Sequence, residues 1–246
     1  MPLFITDKNT LKTSRGLSRE QARQEALHRR DGRKPELIYF LHIPKCGGTS
    51  VAHLWRSAYP GCVVEPNLNT ASDIKHCRLR EVDDIFDVSF SIVRQPVTWY
   101  ESWWRYVQSP KVTDRPETRD AQGKPNFDTW IGEGVWHPLR RIAACHDTNF
   151  ARFIENVIET APGFVSDMYD EYLGFRTGRI TVDHLIRLET MYTDFTSFCE
   201  TYGFATPREP KHENKTKDLG QVIWPLELKK EVERLEADAI NYFNYT

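Results

Sequence analysis

The sequence contains no apolar run long enough to cross a membrane. Its longest apolar stretches are short, such as Leu37-Ile38-Tyr39-Phe40-Leu41, whereas a membrane-spanning helix needs about 20 apolar residues in succession. The first 30 residues also lack the apolar segment of a secretory signal. These absences lead us to expect a cytoplasmic protein without a membrane span.

Cysteine is scarce, and the spacing of the five thiols shows no pattern of pairing. A disulfide framework or a structural zinc site brings cysteines in even number or in a Cys-x-x-Cys spacing, and the sequence has neither. We therefore expect no metal site, and we expect reduced thiols at Cys46, Cys62, Cys77, Cys145 and Cys199.

A large excess of charge of one sign is also absent. The chain has 33 basic and 35 acidic residues, and its formal net charge of −2 excludes an overall polycation of the kind that binds nucleic acid. Residues 1–35 are the exception, with nine basic and four acidic residues, and Ser18-Arg19-Glu20-Gln21 predicts a short capped helix there. We expect a basic N-terminal extension, either partly ordered or an arm that packs on the domain or, in a homo-oligomer, on a second copy of the chain.

From residue 36 onward, apolar runs of strand length alternate with helical patterns. Strands are predicted at residues 37–43, 88–93 and 184–188, and a helical pattern follows each of them. This alternation predicts a single α/β domain over residues 36–246, with a central parallel sheet and helices on both faces. Residues 110–175 are expected to form an insertion on the substrate side.

The end of the chain predicts one further amphipathic helix. Residues 225–243 are rich in charge, and their apolar positions recur at the spacing of a single helix face. We expect that face to hold Leu226, Leu228, Val232, Leu235 and Ile240.

The first predicted strand runs directly into Pro44-Lys45-Cys46-Gly47-Gly48-Thr49-Ser50, which opens a helix. A helix N-terminus presents backbone N–H groups, and glycines let the backbone approach a ligand closely. Lys45 adds a positive charge, while Thr49 and Ser50 add hydroxyl donors. The pattern suits a phosphate but is not a Walker A loop, because the lysine precedes the glycines. The structural alternative is a plain tight turn.

A second anion-binding pattern follows the second predicted strand. Arg94 leaves the carboxyl end of that strand, which is the edge where ligands bind in parallel sheets. Pro96 then begins a helix, and Ser102 lies eight residues after Arg94. An arginine and a serine so placed can share one anion, with the arginine donating two hydrogen bonds. The alternative is a structural ion pair for Arg94 and a solvent-facing Ser102.

These two patterns together resemble those of sulfotransferases that use 3′-phosphoadenosine 5′-phosphosulfate (PAPS). Residues 40–50 resemble the family's 5′-phosphosulfate loop, and the closest branch acts on carbohydrates and includes the heparan sulfate 2-O- and 6-O-sulfotransferases. Val93-Arg94-Gln95-Pro96 with Ser102 resembles the family's 3′-phosphate motif. Gln95 replaces the more usual aspartate, and Cys46 stands where threonine is common. Lys211-His212-Glu213-Asn214-Lys215-Thr216 is similar to the late loop that closes over the cofactor.

The resemblance implies a P-loop nucleotide-binding-like sulfotransferase fold with PAPS across the carboxyl ends of the strands. The implied reaction moves a sulfuryl group to an acceptor hydroxyl, expected on a glycan or small molecule, and leaves 3′,5′-ADP (PAP). Lys45 would stabilise the charge that develops on the leaving phosphate. The cofactor-binding residues implied are Pro44, Lys45, Cys46, Gly47, Gly48, Thr49, Ser50, Arg94, Ser102, Lys215 and Thr216.

The resemblance also implies a catalytic histidine between the two phosphate motifs, where His76 stands. A neutral imidazole suits a general base that deprotonates the acceptor hydroxyl. The alternative for His76 is a solvated side chain beside Lys75 and Arg78. His137 and His146 are the reserve candidates.

Two other functions remain open at this point, and so does the role of the aromatic run at residues 99–106. A nucleotide-dependent kinase of similar architecture would need a Walker loop and a metal site, and a non-catalytic nucleotide-binding module would keep the anion sites without turnover. The aromatic run is either a platform for a sugar or adenine, or one side of a helix packed in the core, and we favour the core.

Overall fold

The computed structural model describes residues 3–4, 37–58, 78, 88–109, 112, 119–122, 126, 136–208 and 222–245. The chain divides into two compact units. The first contains Met1–Val93 and Thr177–Glu213, and the second contains Arg94–Arg176 and Asn214–Thr246. The predicted helix at residues 18–31 lies outside the described residues.

The first unit is built on a parallel sheet, as the alternating pattern predicted. Its strands are β1 (Leu3–Phe4), β2 (Leu37–Leu41), β3 (Val88–Val93) and β4 (His184–Arg187), in that spatial order. The predicted α/β class with a parallel sheet is therefore confirmed. The helices in the described part of this unit are α1 (Gly48–Ala58) and α6 (Met191–Thr201), with a 3₁₀ turn at Leu188–Thr190.

The edge strand β1 was not predicted. It is only two residues long, and it joins the sheet by pairing Leu3 with Leu37 and Phe4 with Ile38. A two-residue strand has no periodicity to detect, so its pairing could not be found from the sequence. The strand β2 ends at Leu41 rather than at residue 43, because its ladder with β3 closes at the pair Leu41 and Ser91.

Aromatic side chains form the core of the first unit. Phe40 of β2 stacks on Phe90 of β3 with 4.9 Å between ring centroids, and Phe90 contacts Phe195 of α6 at 5.8 Å. Trp55 of α1 packs edge-on against the same Phe195 at 6.0 Å. Both helices therefore cover the same face of the sheet, and large aromatic surfaces removed from water stabilise it.

The second unit is helical in its described part. Its helices are α2 (Pro96–Val107), α3 (Leu139–Ala143), α4 (Phe150–Thr160), α5 (Phe164–Leu173), α7 (Leu226–Leu235) and α8 (Ala237–Tyr242). Trp99, Tyr100 and Trp103 of α2 are fully buried, and Trp99 contacts Phe164 of α5 at 5.4 Å between centroids. The buried side of this aromatic run is therefore core.

The prediction of one continuous C-terminal helix over residues 225–243 is wrong. The structure has two helices there, α7 and α8, and the helical conformation is interrupted at Glu236 between them. Leu226, which we assigned to the apolar face, is 64% exposed, whereas Val232 is buried as expected.

The break at Glu236 has a clear physical cause. Its carboxylate turns into the protein, where Oε1 accepts from the Tyr100 hydroxyl at 2.5 Å and from the Val165 amide at 3.0 Å. Oε2 accepts from the Ser166 amide at 2.7 Å and from the Ser166 hydroxyl at 2.6 Å. Burial raises the pKa of Glu236, and the hydrogen bonds oppose that rise. Four donors on one fully buried carboxylate stabilise the turn between α7 and α8.

Replacing Glu236 by glutamine is expected to lower the free energy of unfolding by about 1–3 kcal/mol. The glutamine amide has one acceptor oxygen, so its NH₂ group would face two of the four donors that now bind the carboxylate. Urea unfolding with circular dichroism measures the change. Glu233→Gln is the matched control, because Glu233 lies on α7 in an exposed pair with Lys229 at 3.6 Å and is expected to cost far less. Equal midpoints for the two variants would contradict this account of the break.

Among the described residues, no helix is both long enough and apolar enough to traverse a bilayer. Three of the five cysteines are described, and the side chains of all three are buried: Cys46, Cys145 and Cys199.

Candidate anion-binding elements

The loop after β2 has an unusual backbone. Lys45 has a φ of 63° and Gly47 has a φ of 87°, so two residues with left-handed φ flank Cys46, whose φ is not positive. Lysine rarely adopts this conformation, which costs about 1–3 kcal/mol when the surroundings impose it. Cys46 N–H donates to Ile43 C=O at 3.3 Å, so residues 43–46 form a β-turn with Pro44 at its second position, and the positive φ of Lys45 at its third is that of a type II turn. The loop therefore begins with the tight turn that we gave as the structural alternative, and its binding of an anion stays a prediction.

The two glycines of the loop are required by packing within the first unit. A Cβ on Gly48 would overlap the imidazole of His42, which stacks on Phe40 with 5.5 Å between ring centroids. A Cβ on Gly47 would lie 2.5 Å from Cδ1 of Leu188, and its φ also favours glycine. We expected these glycines to let a ligand approach closely, whereas in the structure their close neighbours are the side chains of Leu188 and His42.

The first turn of α1 has the backbone donors that the sequence predicted. Val51 N–H donates to Gly47 C=O at 3.1 Å, so Gly47 caps the helix and the amides of Gly48, Thr49 and Ser50 precede the first helical hydrogen bond. This turn has no acidic residue to balance the positive end of the helix dipole. The Thr49 side chain is exposed and Ser50 is half-buried.

Cys46 does not offer a donor from its side chain. It is buried at 1% exposure, and its amide donates to Ile43 C=O at 3.3 Å. The position of Cys46, where the resembling motif commonly has threonine, is therefore buried in this chain.

A second helix of the same protein shows how such an opening holds an anion. The helix α5 begins after Gly163, whose φ is 66°, and Asp167 N–H donates to Gly163 C=O at 2.9 Å. The two positions after its first residue are Val165 and Ser166, whose amides and hydroxyl hold the carboxylate of Glu236. In α1 the corresponding residues after Gly47 are Thr49 and Ser50. The openings of both helices thus share a left-handed glycine, two amides and a serine hydroxyl.

Arg94 is held at its backbone and at its side chain. Its amide donates to the hydroxyl oxygen of Tyr169 at 2.8 Å, and that hydroxyl donates back to Arg94 C=O at 2.6 Å. Arg94 Nε donates to Thr98 Oγ1 at 3.0 Å. Gln95 caps α2, because its Oε1 accepts from the Thr98 amide at 2.9 Å. Gln95 therefore performs the capping that the more usual aspartate could provide.

Ser102 lies on the same face of α2 as Thr98. Residues four apart on a helix are neighbours, so the guanidinium bonded to Thr98 lies on the helix face that leads to Ser102. Ser102 is half-buried. Sequence analysis missed Thr98, although its position midway between Arg94 and Ser102 was a usable signal. It also missed Tyr169, which is 75 residues from Arg94 along the chain and gave no local signal.

Three predicted site residues lie outside the described residues: His76, Lys215 and Thr216. Of the reserve bases, His137 is buried, and its Nδ1 accepts from the Leu139 amide at 3.2 Å. Burial, and then the charge of Arg140, lowers the pKa of His137 to about 4. The lone pair that a base would use is therefore engaged at the start of α3, which makes His137 a structural residue. His146 is half-buried and stays a reserve candidate.

No protein-family model and no curated protein matches this chain. The functional argument therefore depends on the residues themselves, on their geometry and on the resemblance of the two motifs.

Proposed function

We propose that this chain is a PAPS-dependent sulfotransferase with a P-loop nucleotide-binding-like fold and a hydroxyl-bearing acceptor, expected to be a carbohydrate. The observation that supports it best is the opening of α1, which has the same donors with which α5 holds the Glu236 carboxylate. Lys45 and Arg94 follow adjacent parallel strands. Both stand in sequence motifs that resemble the family's two phosphate motifs.

The donor set of the chain fits the two charged ends of the proposed cofactor. Amides at the start of α1, the Ser50 hydroxyl and Lys45 suit the 5′-phosphosulfate, since all of them donate or carry positive charge. Arg94 and Ser102 suit the 3′-phosphate, because a guanidinium and a hydroxyl can share one anion. Lys215 and Thr216 are assigned to the late loop by the resemblance.

Bound PAPS supplies an activated sulfuryl group whose bond to the 5′-phosphate breaks during transfer. Transfer of this kind depends on positioning and on charge stabilisation rather than on covalent chemistry by the protein. Lys45 and the α1 amides stabilise negative charge where it develops on the 5′-phosphate side. His76 accepts the proton of the acceptor hydroxyl, and Arg94 with Ser102 fixes the opposite end of the ligand.

The activity is tested by incubating the purified chain with PAPS labelled in its sulfuryl group and a panel of glycans and simple alcohols. The proposal expects label on at least one hydroxyl acceptor. A parallel assay with labelled ATP and Mg²⁺ tests the kinase alternative. Tight binding of PAP with no transfer to any acceptor would instead identify a non-catalytic binding module.

Arg94→Ala is expected to weaken PAP binding by about 2–4 kcal/mol, the scale for removing one charged partner from a desolvated contact. Titration calorimetry measures the loss, and urea unfolding checks that the variant remains folded. Arg152→Ala is the matched control, because Arg152 is an exposed arginine on α4 and is expected to leave the affinity unchanged. PAP binding that survives in Arg94→Ala would remove Arg94 from the site.

A further inference from the structure

Arg94 lies between the last paired residue of β3 and the first hydrogen bond of α2. The ladder between β3 and β4 ends with Val93 paired to Arg187. The first hydrogen bond of α2 runs from Trp99 N–H to Gln95 C=O, and the Thr98 amide is taken by the Gln95 side chain. Arg94 C=O therefore belongs to neither the sheet nor the helix. A partly buried backbone group needs a hydrogen-bond partner, and at Arg94 a side chain provides it.

The Tyr169 hydroxyl serves both backbone groups of Arg94. A hydroxyl has one proton to donate and lone pairs to accept, so a single phenol can bind the C=O and the N–H of the same residue. Tyr169 is fully buried on α5, and its ring packs edge-on against Phe243 at 5.6 Å between centroids. The ring is therefore held in place independently of its hydroxyl. The two hydrogen bonds of that hydroxyl restrict both φ and ψ at Arg94.

The Thr98 hydroxyl restricts the side chain of Arg94. Oγ1 donates to Gln95 C=O at 3.0 Å, which orients its lone pairs, and it accepts from Arg94 Nε at 3.0 Å. A hydroxyl whose proton is committed in this way acts as a directional acceptor. Long side chains lose much rotational freedom when they bind a ligand, so an arginine held at Nε beforehand loses less.

We propose that Tyr169 and Thr98 are positioning residues that preorganise Arg94 for the 3′-phosphate. This inference depends on the proposed function, because it assigns to both hydroxyls a part in binding that one phosphate. Neither residue needs to touch the ligand. Their contribution to affinity is confined to ligands that carry a 3′-phosphate. A general structural role would instead affect the affinity for ligands with and without that phosphate.

The test measures the affinities of PAP and of 5′-AMP, which lacks the 3′-phosphate, by titration calorimetry. Tyr169→Phe keeps the ring and removes the hydroxyl, and it is expected to weaken PAP binding about three- to tenfold and to leave 5′-AMP binding unchanged. Tyr192→Phe is the matched control, because the Tyr192 hydroxyl is also partly buried and donates to a backbone group, Pro207 C=O at 3.4 Å. Thr98→Val is expected to behave like Tyr169→Phe, and Thr98→Ser to retain the affinity for PAP, since serine keeps the hydroxyl.

Unchanged PAP affinity in both Tyr169→Phe and Thr98→Val, or an equal loss for PAP and 5′-AMP, would overturn this inference. If Tyr169→Phe fails to fold, the Thr98 pair decides the question, because valine removes the hydroxyl at nearly the shape of threonine and serine keeps the hydroxyl without the methyl group. A wild-type chain that binds PAP no better than 5′-AMP would instead refute the proposed role of Arg94, and with it the proposed function.

Discussion

Lys45→Gln is expected to lower the rate of sulfuryl transfer about 10²–10³-fold, the effect of losing one preorganised group that stabilises developing charge. Lys45 precedes the opening of α1 by three residues and has a φ of 63°. In the proposed site its ammonium would add a full positive charge to the partial charges of the helix amides. Its charge matters most when negative charge accumulates on the leaving phosphate, and the loss should appear in kcat more than in the affinity for PAP.

Labelled-PAPS kinetics with the best acceptor from the panel measures this effect. Lys230→Gln is a suitable control, because Lys230 lies on α7 in an exposed pair with Glu227 and should leave kcat unchanged. Glutamine keeps the length and polarity of the side chain, so the loop is expected to keep its backbone. A variant with normal kcat and weakened PAP binding would show that Lys45 only binds the ligand, which would contradict its catalytic role.

His76→Ala is expected to reduce turnover about 10²–10⁴-fold and to spare the affinity for PAP, because a general base acts on the acceptor and not on the nucleotide. The assignment comes from the interval between the two phosphate motifs, in which the resembling enzymes have their catalytic histidine. Kinetics with saturating PAPS, together with calorimetry of PAP, separates the two effects.

His53→Ala is the control for His76, since His53 is exposed on α1 and away from the opening of that helix. Activity that survives His76→Ala would place the base elsewhere, and His146→Ala would then be the next variant. His137 is a weak alternative, because its Nδ1 already accepts the Leu139 amide. His137→Ala should therefore reduce stability rather than turnover alone.

The strands β2 and β3 could be predicted from the sequence, since buried parallel strands are short and mostly apolar runs. The strand β4 was also predicted, although only Ile186 of its four residues is buried. The same reasoning gave the start of α2 at Pro96, where proline is tolerated because the amide it lacks needs no partner. These features depend on local patterns only. The two-residue strand β1 lacks such a pattern and is defined by its pairing with Leu37 and Ile38.

The prediction of one continuous C-terminal helix was wrong for a different reason. The spacing of apolar residues through Leu235 and Ile240 continues a helical period, but Glu236 between them is drawn inward by donors on α2 and α5. Those donors are 70 or more residues away along the chain, so tertiary hydrogen bonds override the local pattern.

The candidate site likewise contains residues that short motifs predicted and contacts that no motif predicted. Lys45, Arg94 and Ser102 were found from short motifs, because anion binding needs particular residue types near a strand end and a helix start. The packing of His42 on Gly48 and the hydrogen bonds between Tyr169 and Arg94 could not be predicted from the sequence, because they depend on the three-dimensional fold. The motifs thus predict which groups meet the ligand, and the structure adds what holds those groups in position.

The central claim is that this chain recognises an adenosine bearing both a 3′-phosphate and a 5′-phosphate, and titration calorimetry with PAP tests it most directly. The account predicts one-to-one binding of PAP without added metal, weaker binding of 5′-AMP, and no displacement of PAP by ATP with Mg²⁺. Heat of binding from ATP with Mg²⁺ but none from PAP would contradict it.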